Sequence, residues 1–198
     1  MLNSVAVNNL EMKVEITRLT SWNEVLNAAR FTQRKEALDK EPSEKFKKNI
    51  IKAEHSPLRA LMFNIDMYDV PYYTAMHFRT HKLVHLPVIS TSRPDVNGNM
   101  KPRSEQKKDE PVNVRLMLDA QEIIAISKVR LCNRAELETR ITWIQVISSL
   151  YKIEPELANA CVPNCVYRGF CPEIETCGYA NNPAFSAVRE HYCNLLRP

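Results

Sequence analysis

Only three glycines occur in the 198 residues of this chain, Gly98, Gly169 and Gly178. None follows a strand and opens a helix in a G-x-G-x-x-G arrangement. A backbone that cradles phosphates at a strand-to-helix turn needs that spacing. The sequence therefore argues against a Rossmann dinucleotide fold and against a P-loop.

What the chain offers instead is a set of short strands and capped helices. Met12 to Thr17 alternates apolar and polar residues, and Leu61 to Tyr68 does so again through Leu61, Phe63, Ile65 and Met67. Alternation of period two predicts half-buried strands. Ser21-x-x-Glu24, Asp119-x-x-Glu122 and Asn133-x-x-Glu136 have capping-box spacing. They predict helices over about 22–31, from 120 to about 131, and from about 134 to 151. Pro42-Ser43 opens another helix, 44 to about 54, which ends near His55-Ser56-Pro57 because the residue before proline resists the helical region. Val70-Pro71 places proline at the first position of a further helix. In the last long helix, Leu137, Ile141, Ile144, Ile147 and Tyr151 recur at three- and four-residue spacing, which predicts a buried face. Residues 94–112 are polar and rich in breakers, and predict a long exposed loop. The segment from Pro155 is rich in Cys and Pro and predicts an irregular tail.

The strongest chemical signal lies between His77 and Arg93. Arg79, His81, Lys82 and Arg93, two more histidines (His77 and His85) and four hydroxyls share those 17 residues. A solvated basic loop is the plain explanation. The alternative is an anionic ligand, because a guanidinium presents a planar fork of donors that suits phosphate and pyrophosphate. Arg130, at the end of a helix, either favours that terminus as a cation or binds a ligand. Asp119 reads first as a cap, and His55 as a surface histidine in a turn. No Ser-His-Asp or Cys-His order suggests a nucleophilic triad.

Cys161, Cys165, Cys171 and Cys177 fall within 17 residues. Zinc ligation, ordinary buried thiols and disulfides are the readings weighed, although the paired C-x2-C knuckles of common zinc sites are missing. The first sixteen residues lack a basic region followed by a long apolar one, and no apolar run approaches about 18 residues. A cytoplasmic protein with no membrane partner is expected, which disfavours disulfides. A net charge of +4 permits anionic ligands without arguing for nucleic acid, and aromatics are not interleaved with the cations as stacking platforms require.

Taken together, these segments resemble the flavin-dependent thymidylate synthases, the ThyX family, and in particular its short, phage-type members. The family signature is R-H-R-x7-S-x-R. Phe78-Arg79-Thr80-His81-Lys82 looks like the F-R-H-R run with one residue inserted and Lys in the last place, and Thr91-Ser92-Arg93 looks like S-x-R with Thr91 in the Ser position. Ala28-Ala29-Arg30 resembles the early A-A-R. Glu54-His55-Ser56-Pro57 resembles H-x-[ST]-P with the histidine displaced by one. Asp119-Ala120-Gln121 through Arg130-Leu131 resembles N-A-R…R-L with Asp for Asn, and Ala135 through Arg140 resembles A-Q-x-E-I-R. The likeness spans about residues 14–155. The family's helical insertion after S-x-R is nearly absent, and with it the arginine that binds part of dUMP; Arg103 and Arg115 are the candidates to replace it.

The resemblance implies an α+β fold, with a mixed or antiparallel sheet packed by helices. It implies a catalytic domain over 1–155, with 156–198 as its extension. The implied activity is reductive methylation of dUMP to dTMP, using FAD, NADPH and methylenetetrahydrofolate, in a homotetramer. It places Arg79, His81, Lys82, Asp119 and His55 at the flavin, and Arg93, Arg130, Thr91 and Ser92 at the nucleotide, with Arg130 and Arg93 as the catalytic pair and no metal. An enzyme acting on another pyrimidine nucleotide, a non-enzymatic nucleotide-binding protein and a zinc-stabilised interaction protein are the competing readings.

Overall fold

The computed structural model describes residues 12–81, 85–98 and 101–195. Four strands, β1 (Val14–Arg18), β2 (Met62–Pro71), β3 (Leu86–Ile89) and β4 (Pro111–Asp119), form one sheet in the order β1-β2-β4-β3. Every neighbouring pair is antiparallel. Leu61, Phe63, Ile65 and Met67 are fully buried, as the alternation predicts, and Val112, Val114, Leu116 and Leu118 of β4 line the same face. Each such side chain contributes roughly 1.5–3 kcal/mol on burial. The β2–β4 register shifts between Met67 and Val70, where Asp69 takes a positive φ of 58° and donates its N–H to Asn113 Oδ1 at 3.3 Å.

Along the chain the helices are α1 (Trp22–Thr32), α2 (Glu44–Ala53), α3 (Tyr72–Arg79), α4 (Pro94–Asn97), α5 (Ala120–Arg130), α6 (Leu137–Tyr151), α7 (Pro155–Ala160), α8 (Asn164–Arg168) and α9 (Pro183–Leu195). The helices α3, α5 and α6 pack against the sheet. At their junction Phe78 and Trp143 meet with ring centroids 5.5 Å apart, and Trp143 Nε1 donates to Ser127 Oγ at 2.9 Å. Glu154, just before α7, accepts from Trp22 Nε1 at 2.8 Å and from the Arg18 guanidinium, so it joins the first strand and helix to the C-terminal helices.

The structure corrects several expectations. The segment after Pro155 is irregular only over residues 169–178: α7, α8 and α9 form around that stretch and contribute Leu157, Val166, Phe185 and Tyr192 to the core. Pro155 and Pro183 sit at helix starts, where a missing N–H costs nothing. On α6 the predicted face is only partly covered: Ile147 packs against the core and Ile141 is half-buried. Leu137, Ile144 and Tyr151 are exposed, while Thr139, Thr142, Trp143, Val146 and Leu150 are buried. The threonines tolerate burial because their hydroxyls are bonded, Thr142 Oγ1 to Glu138 O at 2.7 Å and Thr139 Oγ1 to Glu136 Oε2 at 2.8 Å. Asn133 caps nothing; α6 begins at Leu137, with Glu136 accepting from the Glu138 and Thr139 amides. Ser21 precedes α1 without a side-chain cap bond. Pro71 still pairs in the sheet, and α3 begins at Tyr72. The 94–112 segment holds α4, a 3-10 turn at Arg103–Glu105 and the start of β4.

Candidate functional site

The predicted site residues fall into three groups, all set by α5 and the strands beside it. The first lies where the C-terminal ends of α3 and α5 meet. Arg130 Nε donates to His81 Nε2 at 2.7 Å, and Arg130 Nη2 donates to the His77 carbonyl at 3.0 Å. His81 must therefore present an unprotonated Nε2. Burial, then the Arg130 charge, then His77 push its pKa down from 6.5 to about 4, so the ring is neutral at physiological pH. Burial also lowers the pKa of Arg130. A guanidinium nevertheless stays charged in proteins. Behind them, His77 Nδ1 lies 2.7 Å from Thr139 Oγ1, whose hydroxyl points to Glu136. His77 is then the Nδ1–H donor. Burial opposes the Glu136 charge, but hydrogen bonds involving Glu138 and Thr139 outweigh it and hold that carboxyl well below the usual range. The result is a pre-ordered guanidinium beside a neutral imidazole, a pair suited to binding an anion and to moving a proton.

At the other end of α5 sits the second group. The capping box predicted at Asp119 is present: Glu122 N–H donates to Asp119 Oδ1 at 2.8 Å, and Asp119 N–H donates to Glu122 Oε2 at 2.7 Å. Such a cap contributes about 1 kcal/mol. His85, entering β3, brings Nε2 to 3.4 Å from both Asp119 Oδ2 and Glu122 Oε2. Burial and the neighbouring Asp119 charge raise the Glu122 pKa against its hydrogen bond from the Asp119 amide. Gln121 ties this end to the turn carrying His55, donating to Glu54 O at 2.8 Å and accepting from Arg59 Nε at 2.6 Å. His55 itself is exposed before the 3-10 turn Ser56–Ala60.

The third group follows β3. Arg93 is exposed and paired with Asp95, at 2.5 and 3.1 Å. Thr91 Oγ1 accepts from the Arg93 amide at 3.2 Å, and Ser92 O accepts from Gln106 Nε2 at 2.8 Å. A cavity of about 260 Å³ opens beside Ser92, lined by Tyr72, Arg103, Gln106, Lys107 and Lys108 among others. Arg115, by contrast, is committed to Asp66 in a two-pronged bridge of 2.5 and 2.6 Å on the open face of the sheet.

The structure thus joins His81 to Arg130 and leaves Arg93, Thr91 and Ser92 at the far end of β3. Arg79 is exposed at the end of α3, and Lys82 lies outside the described residues. Sequence reasoning missed His77 as a partner of Arg130 and His85 as a partner of Asp119. The first carries no sequence signal, because Arg130 bonds the main-chain carbonyl of residue 77, which any side chain there would leave in place. The second depends on the β3–β4 register, which pairs Leu86 with Met117 and carries no sequence motif.

No protein-family model matches this sequence, and no curated protein matches it. Solved structures do match the fold. The flavin-dependent thymidylate synthase ThyX from Helicobacter pylori, complexed with FAD and dUMP, superposes with a TM-score of 0.61 at 12% identity, over 75% of this chain and 99% of that one. A second structure of ThyX from that organism with FAD and dUMP gives 0.60 at 12% identity, over 76% and 99%. The UMP/dUMP methylase PolB from Streptomyces cacaoi, bound with 5-Br dUMP, gives 0.61 at 12% identity, over 80% and 95%. An α+β chain with a four-stranded antiparallel sheet, packed by helices in the ThyX arrangement, is what these likenesses establish.

Proposed function

We propose that this chain is a flavin-dependent thymidylate synthase, methylating dUMP to dTMP with methylenetetrahydrofolate as carbon donor and NADPH as reductant. The observation that carries the reading is the Arg130–His81–His77 constellation, held at 2.7 and 3.0 Å on a fold shared with proteins crystallised with FAD and dUMP. FAD, when bound, supplies the redox and carbon-transfer chemistry, so no protein nucleophile is required.

The residues present suit that group. Arg79 is exposed and makes no hydrogen bond or ion pair with another described residue, which leaves its fork open to a pyrophosphate. We assign to the same group His81, a neutral ring, and Lys82, the next cation in the sequence. Asp119 and His55 flank the Gln121 tie and serve the hydroxyl- and N–H-bearing parts of the cofactor. Arg130 holds the pyrimidine and stabilises negative charge as the ring becomes nucleophilic. Arg93, Thr91 and Ser92 bind the phosphate side. Arg103, beside Ser92, takes the part of the insertion arginine, since Arg115 is engaged by Asp66.

One chain separates these groups, so the working form we propose is a homotetramer whose sites draw on several subunits. The exposed Leu137, Ile144 and Tyr151 on α6 and Leu86 and Val88 on β3 supply apolar surface for it. The likeness to a UMP/dUMP methylase favours one second reading, in which the substrate is another pyrimidine nucleotide. Incubating pure protein with FAD, NADPH, methylenetetrahydrofolate and either dUMP or UMP, then weighing the nucleotide, decides. A product heavier by one methyl group supports the reading and names the substrate. Nucleotide bound but recovered unchanged, with no flavin retained, points to a binding protein instead.

A further inference from the structure

Four cysteines from three separate stretches of chain converge on one cavity of about 570 Å³: Cys132 just beyond α5, Cys165 in α8, and Cys171 and Cys177 in the loop before α9. This is not the set that sequence proximity suggests. Cys161 turns away into the core, donates its thiol to Leu157 O at 3.3 Å, and burial pushes its pKa up to about 12. Cys132 takes its place, 29 residues earlier. All four cavity cysteines are free thiols.

Their spacing discriminates between possible occupants. A single zinc ion, with Zn–S bonds of about 2.3 Å, draws four thiolates to about 3.8 Å from one another. Among the described residues only His85, Asp119 and Glu122 bring three ligand atoms within 4.8 Å of each other, so no three of these sulfurs are gathered that tightly. A cluster that binds each cysteine through a different iron needs the wider arrangement. Leu131, Pro163, Pro172 and Tyr179 give the cavity apolar walls, while Arg140, which donates to Asn133 Oδ1 at 2.6 Å, and Glu173 bring opposite charges to it. The loop bearing Cys171 and Cys177 has no regular structure between Arg168 and Tyr179 and is bounded by Gly169 and Gly178, both at positive φ. The loop is largely exposed: Cys171 packs against the core, and the Arg134–Glu175 pair at 2.9 Å is a surface contact.

We propose that Cys132, Cys165, Cys171 and Cys177 ligate a cubane-type iron–sulfur cluster, each thiol losing its proton to bind one iron. The site is independent of the flavin reading. The test uses the full chain purified without oxygen and reconstituted with sulfide and equal amounts of ferrous and ferric iron, the valences of a cubane core that dithionite then reduces by one electron. Iron and acid-labile sulfide are measured, because flavin contributes neither, and the dithionite-reduced sample is examined by low-temperature EPR. The expected result is iron and sulfide in near-equal amounts with a signal distinct from a flavin radical. Both are lost in the Cys171→Ser/Cys177→Ser double variant, whose changes lie in the loop, and kept in Cys193→Ser. Wild-type protein without labile sulfide overturns the proposal. One zinc per chain without sulfide overturns it in favour of a closed metal site, and a Cys171–Cys177 disulfide found by mass after alkylation overturns it in favour of a cross-link.

Discussion

Replacing Arg130 by alanine tests both halves of its assignment, structural and catalytic. The side chain makes two hydrogen bonds, to His81 Nε2 at 2.7 Å and to His77 O at 3.0 Å. Bonds to a charged donor contribute about 1.5–3 kcal/mol each. Water recovers part of that at a half-buried site, and removing a buried cation relieves its desolvation, so a net loss of about 2 kcal/mol is expected. Had Arg130 only favoured its helix terminus, the loss would stop at about 1 kcal/mol. The sharper readout is His81. Burial is the larger cause of its depressed pKa and the guanidinium the second, so Arg130→Ala should raise that pKa from about 4 without restoring 6.5. The sign follows from linkage. Between pH 6.5 and 4 the unfolded chain takes up a proton that folded His81 refuses, so wild-type stability falls as the solution is acidified through that window. The variant should lose less across it. Histidine titration by NMR and urea unfolding at pH 7 and 5 measure these effects. Turnover should fall about 10²–10³-fold, and Arg130→Lys should rescue little because a point charge lacks the fork. An unmoved His81 pKa with stability within about 0.5 kcal/mol of wild type would refute the contact. Normal turnover would refute the catalytic role.

Three further outcomes are expected. Arg79→Ala should weaken FAD binding about tenfold or more, read by flavin fluorescence; unchanged affinity in both this variant and His81→Ala would remove the cofactor assignment. Light scattering at micromolar concentration should report a tetramer, and Ile144→Glu on the exposed α6 face should dissociate it; a wild-type monomer with full flavin occupancy would rule out shared sites. Glu154→Ala leaves the buried Trp22 indole N–H without its acceptor and should cost about 3 kcal/mol in urea unfolding, whereas a loss below about 1 kcal/mol would show that Trp22 finds another partner.

The sequence was most legible where one physical signal dominates. Alternation located β2, and the Asp119–Glu122 pair located the start of α5 to the residue, because both signals are local. β4 carries an equally clear alternation through Val112, Val114, Leu116 and Leu118. It escaped notice because it begins directly out of a breaker-rich segment. On α6, counting apolar residues selected a stripe of which only Ile141 and Ile147 are partly covered. Thr139 and Thr142 are buried by virtue of specific acceptors that periodicity does not encode, while Leu137, Ile144 and Tyr151 remain uncovered in a single chain. The site divides in the same way. Arg130 and His81 stood out as cations and histidines near helix ends, but their contact depends on α3 and α5 meeting at their C-terminal ends. Among the cysteines, closeness in sequence groups Cys161 with Cys165, Cys171 and Cys177, whereas the cavity is lined by those three and Cys132.

Glu154 ties the two ends of the chain together across 132 residues to Trp22 and 136 to Arg18. On a ribosome adding about 5–20 residues per second, Trp22 is made roughly 7–26 s before its acceptor exists. Until then the first strand and helix have a tryptophan with no buried partner and an arginine with no counter-charge. β1 can pair with β2 and α1 can pack on the Ser56–Ala60 turn earlier, but this one tie closes only when residue 154 has been made. A nascent chain interrupted before Glu154 keeps the Trp22 N–H and the Arg18 guanidinium without the carboxylate that joins them in the finished fold.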